Sequence, residues 1–303
     1  MLVIVGVTSL ATGRPMDDEQ ISSPACDFLP KGSLRAKNCE MIFAQNLIPN
    51  REAITFTLGY FRDNTQGLAD SSCIDFPESP MPGEEGVSPE TLKKGIQNEC
   101  VFFLHDVTSR EKGSSQAQGY LVDLCSRDPS KVVNPVVTNQ GVGSTRKGNE
   151  YYDLEGENTT VLGAFITAPK LHSFTPLKWS KAYKGLKKKL GGSIPALRIF
   201  GVQSSNNETF QGKPMHGTPY NSSFGCPAVG ADDVWIMNKL VENGPALVMN
   251  YGPRSAHQST TNCRNDVSGL TCNDKIQGLA CDQGQGASEK LTSPESKRKE
   301  AQK

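Results

Sequence analysis

Apolar residues recur at helical spacing in two parts of the chain. The first helix is predicted over residues 51–61 with Asn50 as its N-cap, and the second over 232–243 with Asp232 as its N-cap and Gly244 ending it. The apolar stripes are Ile54, Leu58 and Phe61 in the first helix, and Val234, Met237, Leu240 and Val241 in the second. Both helices are therefore predicted to bury one face against another part of the protein.

Between these helices, short runs of β-branched and aromatic residues predict strands. Residues 100–107 and 119–125 indicate two strands joined by a polar loop that contains glycine. Further strands are predicted at residues 132–138, 160–167, 195–201 and 246–251. We therefore expect a mainly β, sandwich-like domain over residues 98–253 with a few short helices.

Polar segments flank the β-rich domain. Residues 12–97 are predicted to form a helical and irregular N-terminal region, with a long polar connection at 63–95. Residues 254–282 are predicted to form an extension that contains three cysteines, and residues 283–303 a disordered tail.

Composition and charge exclude two classes of protein. The 32 basic and 32 acidic side chains balance, so the chain lacks the basic excess typical of nucleic-acid binding. No apolar run approaches the roughly 18 residues of a membrane-spanning helix. Glycine (29) and proline (19) are frequent and the hydrophobic fraction is 36%, which favours a loop-rich β protein.

Nine cysteines without any CxxC pair indicate disulfides rather than a metal site. We expect neither a metal nor another cofactor. The apolar start of the chain, followed by Ser9-Leu10-Ala11, is similar to the end of a secretory signal peptide, predicted here over residues 1–11. Both features predict export to the periplasm or cell envelope, or secretion.

The segment around His216 and Cys226 is the best candidate for chemistry. A thiol attacks a carbonyl as thiolate, and an imidazole can take its proton. Gly225 permits a tight turn before the thiol, so that main-chain N–H groups can face the oxyanion of a tetrahedral intermediate. His105, His172 and His257 lack ligand spacing, and we expect none of them to take part directly.

This segment resembles the signature of the L,D-transpeptidase catalytic-domain family, in the branch with a Ser-x-Gly-Cys-Pro-Ala motif. The matching residues are His216-Gly217-Thr218 and Ser223-Phe224-Gly225-Cys226-Pro227-Ala228. Weaker matches are the strand Leu162–Thr167, the segment Ala196–Gly201 with Asn206 and Asn207, and Asn243–Val248. The resemblance covers about half of the chain, residues 98–252.

The resemblance implies an enzyme that acylates Cys226 with a peptidoglycan tetrapeptide stem and passes the acyl group to an amine. His216 would be the base, Gly225 and Cys226 would supply oxyanion-hole amides, and Ser223 would order the loop. Gly217, Thr218, Phe224 and Asn207 would contribute to substrate binding. The partners are then stem peptides, namely a tetrapeptide donor and an amine acceptor.

Two departures from the family pattern keep other functions open. Phe224 stands where a histidine is usual, so that base function falls on His216, and Pro227 begins the segment where an arginine is usual. The alternatives are an L,D-peptidase that uses water as acceptor and a non-catalytic wall-binding module. The lysines at 178, 181, 184 and 187–189 could receive stem carboxylates or form a solvated surface.

Two predictions concern the cysteines. In an antiparallel hairpin centred near residue 112, Cys100 and Cys125 face each other, close enough for a disulfide. With nine cysteines, one thiol has no partner within the chain. We expect that thiol to be Cys226, because a nucleophile in a disulfide could not be acylated.

Overall fold

The computed structural model describes residues 23–69, 87–109, 114–139, 161–175, 180–203, 206, 213–221, 223 and 226–252. The predicted signal peptide (1–11), the cysteine-containing extension (254–282) and the tail (283–303) lie outside the described residues. No described helix is both long and apolar enough to cross a membrane.

Strands dominate the described residues, which confirms the mainly β prediction. The strands are β1 Val101–Asp106, β2 Gln116–Asp123, β3 Val133–Asn139, β4 Gly163–Thr167, β5 His172–Ser173, β6 Pro195–Gly201, β7 Lys213–Gly217, β8 Ala228–Val229 and β9 Leu247–Tyr251. The helices are α1 Leu34–Ala44, α2 Arg51–Asn64, α3 Pro89–Lys93, α4 Lys181–Lys189 and α5 Trp235–Val241.

The strands form one sheet that closes on itself. Its order is β4-β9-β1-β2-β3-β8-β7-β6-β5, and an additional β4–β6 pairing joins eight strands into a ring, with β5 beside β6. Closure removes the exposed edges that an open sheet would have. The pairs β1–β9 and β7–β8 are parallel, and the other pairs are antiparallel.

The β1–β2 hairpin confirms the predicted disulfide. Val101 pairs with Asp123 at the open end of the hairpin, and the main-chain N–H of Leu124 donates to the Cys100 carbonyl at 2.8 Å. Cys100 and Cys125 are joined, with their Cα atoms 5.2 Å apart. A second disulfide joins Cys26, at the end of a 3-10 turn, to Cys39 within α1.

The N-terminal helices pack on the outer face of the sheet. Ala53 N–H donates to the Asn50 side chain at 3.0 Å, so Asn50 caps α2 as predicted. Phe61 contacts Phe102 of β1 with ring centroids 5.4 Å apart, and neighbouring aromatic residues join α2 to β9. One hydrophobic core therefore includes both the N-terminal helices and the sheet.

The predicted helix after Asp232 starts later than expected. Residues Ala231–Asp233 form a 3-10 turn in which Asp233 N–H donates to the Gly230 carbonyl, so that α5 begins at Trp235. Asp232 is therefore not the N-cap; it is exposed and forms an ion pair with Lys189. Gly244 follows the helix with φ +100°, a conformation that favours glycine, which fits its predicted role in ending the helix.

Candidate functional site

The parallel β7–β8 pair brings the histidine and the cysteine segments together. His216 lies on β7 and pairs with Ala228 on β8, and its main-chain N–H donates to the Pro227 carbonyl at 3.3 Å. Cys226 immediately precedes Pro227, the residue whose carbonyl accepts this hydrogen bond. His216 and the Cys226 segment, ten residues apart in the sequence, therefore lie side by side.

Cys226 is half-buried and retains its thiol, whereas the other four described cysteines form the two disulfides. The Ser223 hydroxyl donates to the Cys226 carbonyl, and Ser223 is itself buried. This hydrogen bond ties Ser223 to the main chain of Cys226, two residues before β8. The expected role of Ser223 in ordering the loop stays a prediction.

The His216 imidazole is buried and its proton position is defined by a hydrogen bond. Nδ1 lies 2.8 Å from the Gly217 carbonyl oxygen, and a carbonyl only accepts, so Nδ1 holds the hydrogen and Nε2 has the lone pair. The side chain stacks on Phe174 with centroids 3.9 Å apart and planes 6° apart. Burial lowers the pKa of His216 to about 4, against a weaker opposing effect of the Gly217 hydrogen bond. The imidazole is therefore neutral near pH 7.

Three aromatic rings form a wall beside the histidine. Phe174 contacts Tyr183 of α4 at a centroid distance of 5.9 Å, and Tyr183 meets Tyr220 edge-to-face at 5.4 Å. Burial, together with the nearby Tyr220 and Cys226, raises the pKa of Tyr183 above its ordinary value, although a hydrogen bond with Thr218 opposes the shift.

Helix α4 places Tyr183 in this wall. Tyr183 N–H donates to the Ser180 side chain at 3.2 Å, which caps the helix, and Ser180 also accepts from the Tyr220 hydroxyl at 2.6 Å. Tyr183 and Leu186, three residues apart, form the buried side. The helix lysines are exposed, and Lys189 lies 2.7 Å from Asp232. Lys178 lies outside the described residues.

Gly217 and Thr218 make close contacts within the protein. A Cβ atom on Gly217 would lie 2.8 Å from the Val234 side chain, so only glycine fits between β7 and the segment before α5. Thr218 N–H donates to the Val229 carbonyl at 2.9 Å, and its hydroxyl accepts from Tyr220 N–H at 3.2 Å. Both residues shape the site, and their predicted substrate contacts stay predictions.

Three of the predicted site residues, Phe224, Gly225 and Asn207, lie outside the described residues. Their neighbour Asn206 is buried, and its amide donates to the Ala164 carbonyl at 2.9 Å and accepts from Gln203 N–H at 2.9 Å. Asn206 therefore holds the segment after β6 against β4. Of the two asparagines that match the family pattern in this segment, Asn206 thus has a structural role.

Of the other described histidines, His105 lies apart from this arrangement. It is fully buried in β1, with Nδ1 3.2 Å from the Asn250 side-chain oxygen. His172 lies in β5 and pairs with Ala196 of β6, which in turn pairs with His216. Among the described residues, no group of three or more His, Cys, Asp or Glu side chains could hold a metal ion.

Phe174 and Tyr183, which pack beside His216, were not predicted from the sequence. Tyr183 and Leu186 are the apolar positions of an otherwise lysine-rich run, and their spacing could have predicted an amphipathic helix. Phe174 gives no comparable signal, because its contact with His216 joins residues 42 positions apart.

Comparisons with known proteins add little to this geometry. No family model and no curated protein matches the chain. Among solved structures, the chain is similar to the helical cell shape determining protein Pgp2 from Campylobacter jejuni, at 14% identity and a TM-score of 0.28, over 50% of this chain and 47% of that one. The structure of a mutant of the same protein is similar at 14% identity and a TM-score of 0.29, over 64% of this chain and 53% of that one. The chain thus spans about half the length of these structures, and likeness at this level does not establish a shared activity.

Proposed function

We propose that this protein is a cysteine acyltransferase that acts on peptidoglycan stem peptides, with Cys226 as nucleophile and His216 as base. The observation that most supports the proposal is the parallel β7–β8 pairing, which sets the buried His216 beside the segment of the half-buried Cys226 thiol. The resemblance of the His-Gly-Thr and Ser-x-Gly-Cys motifs to the L,D-transpeptidase family supplies the substrate class.

The hydrogen bond of Nδ1 supports a role for His216 as proton acceptor through Nε2. In the first step the thiol proton passes to Nε2 while the sulfur bonds to the carbonyl carbon that precedes the terminal D-amino acid. The tetrahedral intermediate then collapses to a thioester, and Nε2–H protonates the departing amine. An acceptor amine attacks the thioester, gives a proton to Nε2 and restores the thiol when the new amide forms.

The low pKa of His216 favours this general-base step over a standing ion pair. At pH 7 an imidazole with a pKa of about 4 is neutral, so it accepts the thiol proton during attack. A neutral imidazole carries no positive charge, so it does not hold Cys226 as a thiolate before the substrate binds.

The two disulfides fit an oxidising compartment, which for a peptidoglycan substrate is the periplasm, the cell envelope or the exterior. The same assignment fits the apolar, signal-like start of the sequence. Export is therefore part of the proposal.

Incubation with disaccharide-tetrapeptides, followed by mass spectrometry of the products, tests the proposal. We expect cross-linked dimers from the natural protein and none from Cys226→Ala. Stem shortening without dimers would identify water as the acceptor and the protein as a peptidase. Unchanged substrate with both proteins would contradict catalysis and favour the non-catalytic wall-binding module.

A further inference from the structure

A transverse row of paired residues joins Asn139 to the candidate site. Asn139, the last residue of β3, pairs with Ala228 of β8, and Ala228 pairs with His216 of β7. Paired residues on neighbouring strands project from the same face of a sheet. Asn139 and His216 therefore share a face, about two strand spacings or roughly 10 Å apart, with only the small Ala228 between them in the row.

The side-chain oxygen of Asn139 is buried without a partner. Asn139 is 4% exposed, and its Oδ1 has no hydrogen bond within the part of the chain that the structure describes. Burying an amide oxygen without a donor is unfavourable by about 1–3 kcal/mol, and such groups are rare in folded proteins. This oxygen, on the face of the candidate site, therefore lacks the N–H donor that an amide oxygen ordinarily has.

A groove reaches Gln116, the neighbour of Asn139 on β2, on the side of β3 away from His216. Its volume is about 210 Å³, and its described lining residues carry no charge; they are Ser109, Ser114, Gln116, Ala117, Gln118 and Val137. Gln116 is the residue of β2 that pairs with Asn139, and Gln118 pairs with Val137. Hydroxyl and amide groups without charge match the alternating N–H and C=O groups of a peptide main chain.

The direction of the reaction assigns the groove to one part of the substrate. His216 must reach the nitrogen of the leaving group in order to protonate it, so the leaving residue lies on the His216 side of Cys226. The acyl part of a donor bound in this direction then extends to the other side, toward Asn139 and the groove.

We propose that Asn139 is a substrate-binding residue whose Oδ1 accepts a hydrogen bond from a main-chain N–H in the acyl part of the peptide donor. This inference rests on the proposed function and names the residue that positions the donor across Cys226. The groove that contains Gln116 and Gln118 receives the remainder of the donor peptide.

Binding of the disaccharide-tetrapeptide to the Cys226→Ala protein tests the inference without turnover. Isothermal titration calorimetry should show that adding Asn139→Leu weakens the Kd about tenfold, the effect of one lost hydrogen bond. Asn134→Leu is the matched control, because Asn134 lies on the same strand and its amide donates to the Lys131 carbonyl at 2.9 Å, far from the site. The control should leave the Kd unchanged.

Thermal unfolding separates binding from a structural role. Leucine removes an unsatisfied buried oxygen, so Asn139→Leu should keep or raise the Tm. A Tm lowered by several degrees, or a Kd equal to that of the control, would overturn the inference. If Asn139→Leu does not fold, Asn139→Ala gives the same comparison.

The outcome also separates this inference from the proposed function. Turnover by the natural protein together with a Kd insensitive to Asn139 rejects the inference alone. No acyl transfer, but binding that weakens with Asn139→Leu, rejects the reaction and keeps the donor site. Absence of both turnover and binding rejects both.

Discussion

Phe174 stacks on the imidazole of His216 with ring centroids 3.9 Å apart and planes 6° apart. This contact covers one face of the ring and contributes to the burial that lowers its pKa to about 4. The hydrogen bond to the Gly217 carbonyl uses Nδ1, so the neutral imidazole has its lone pair on Nε2, which can accept a proton. The proposed proton transfer from the Cys226 thiol requires this neutral form.

Removing the stacked ring should raise the pKa of His216. In Phe174→Ala, water reaches the imidazole, and its pKa should move from about 4 toward the ordinary value of 6.5. NMR titration of the histidine ring carbons measures this directly. Phe56→Ala is the control. Phe56 lies on α2 and packs on Tyr251 of β9, so its removal should leave the His216 pKa unchanged. A His216 pKa near 6.5 in the natural protein would contradict the burial argument.

Replacement of His216 by alanine should slow acyl transfer by about 10²–10⁴-fold, the scale of a positioned base. The rate of donor consumption at saturating disaccharide-tetrapeptide is the measurement. His105→Asn serves as control, because His105 lies on β1, four strands from β7 in the sheet, and this variant should retain the natural rate within a few-fold. Equal rates for His216→Ala and the natural protein would assign proton transfer to another group.

Stability should fall as the pH is lowered from 6.5 to 4. His105 and His216 both have folded-state pKa values of about 4, lowered chiefly by burial, so the unfolded chain binds protons first in this window. Each histidine should destabilise the fold by roughly 3 kcal/mol at pH 4 relative to pH 7. Below pH 4 their contribution levels off.

Urea unfolding of His105→Asn isolates one of these contributions. The asparagine amide keeps a donor for Asn250 but does not titrate, so the stability difference between pH 7 and pH 4 should shrink by roughly 3 kcal/mol. An unchanged difference would show that His105 is not the group that titrates.

Alkylation should distinguish the cysteines of the native protein. Iodoacetamide without reductant should modify Cys226, while Cys26, Cys39, Cys100 and Cys125 stay protected in their disulfides. Because His216 assists deprotonation, the labelling rate at Cys226 should fall in His216→Ala. Peptide mapping by mass spectrometry gives both results. Labelling at any of the four disulfide cysteines before reduction would contradict the pairing.

Local patterns predicted much of the sheet and one disulfide. The β1–β2 hairpin follows from two apolar runs around a polar loop, and its geometry placed Cys100 opposite Cys125. β6 has the predicted bounds, 195–201, because its apolar run ends at glycine. These features depend on residues close in sequence, where periodicity is informative.

The parts that were not predicted depend on contacts between distant segments. β7 reads Lys-Pro-Met-His-Gly, which has no strand alternation, and it forms a strand because β6 and β8 pair with its two edges. Closure of the sheet through β4 and β6 is likewise a non-local pairing. The wall beside His216 needs α4 to dock on the sheet, which the lysine-rich composition of that segment does not suggest.

Acylation of Cys226 is measured by the mass of the protein after brief exposure to a disaccharide-tetrapeptide donor without an acceptor amine. We expect an adduct equal to the donor minus its terminal D-amino acid, attached to Cys226 and absent from Cys226→Ala. Donor cleavage that continues at the natural rate in Cys226→Ala, or an adduct on another residue, would contradict it.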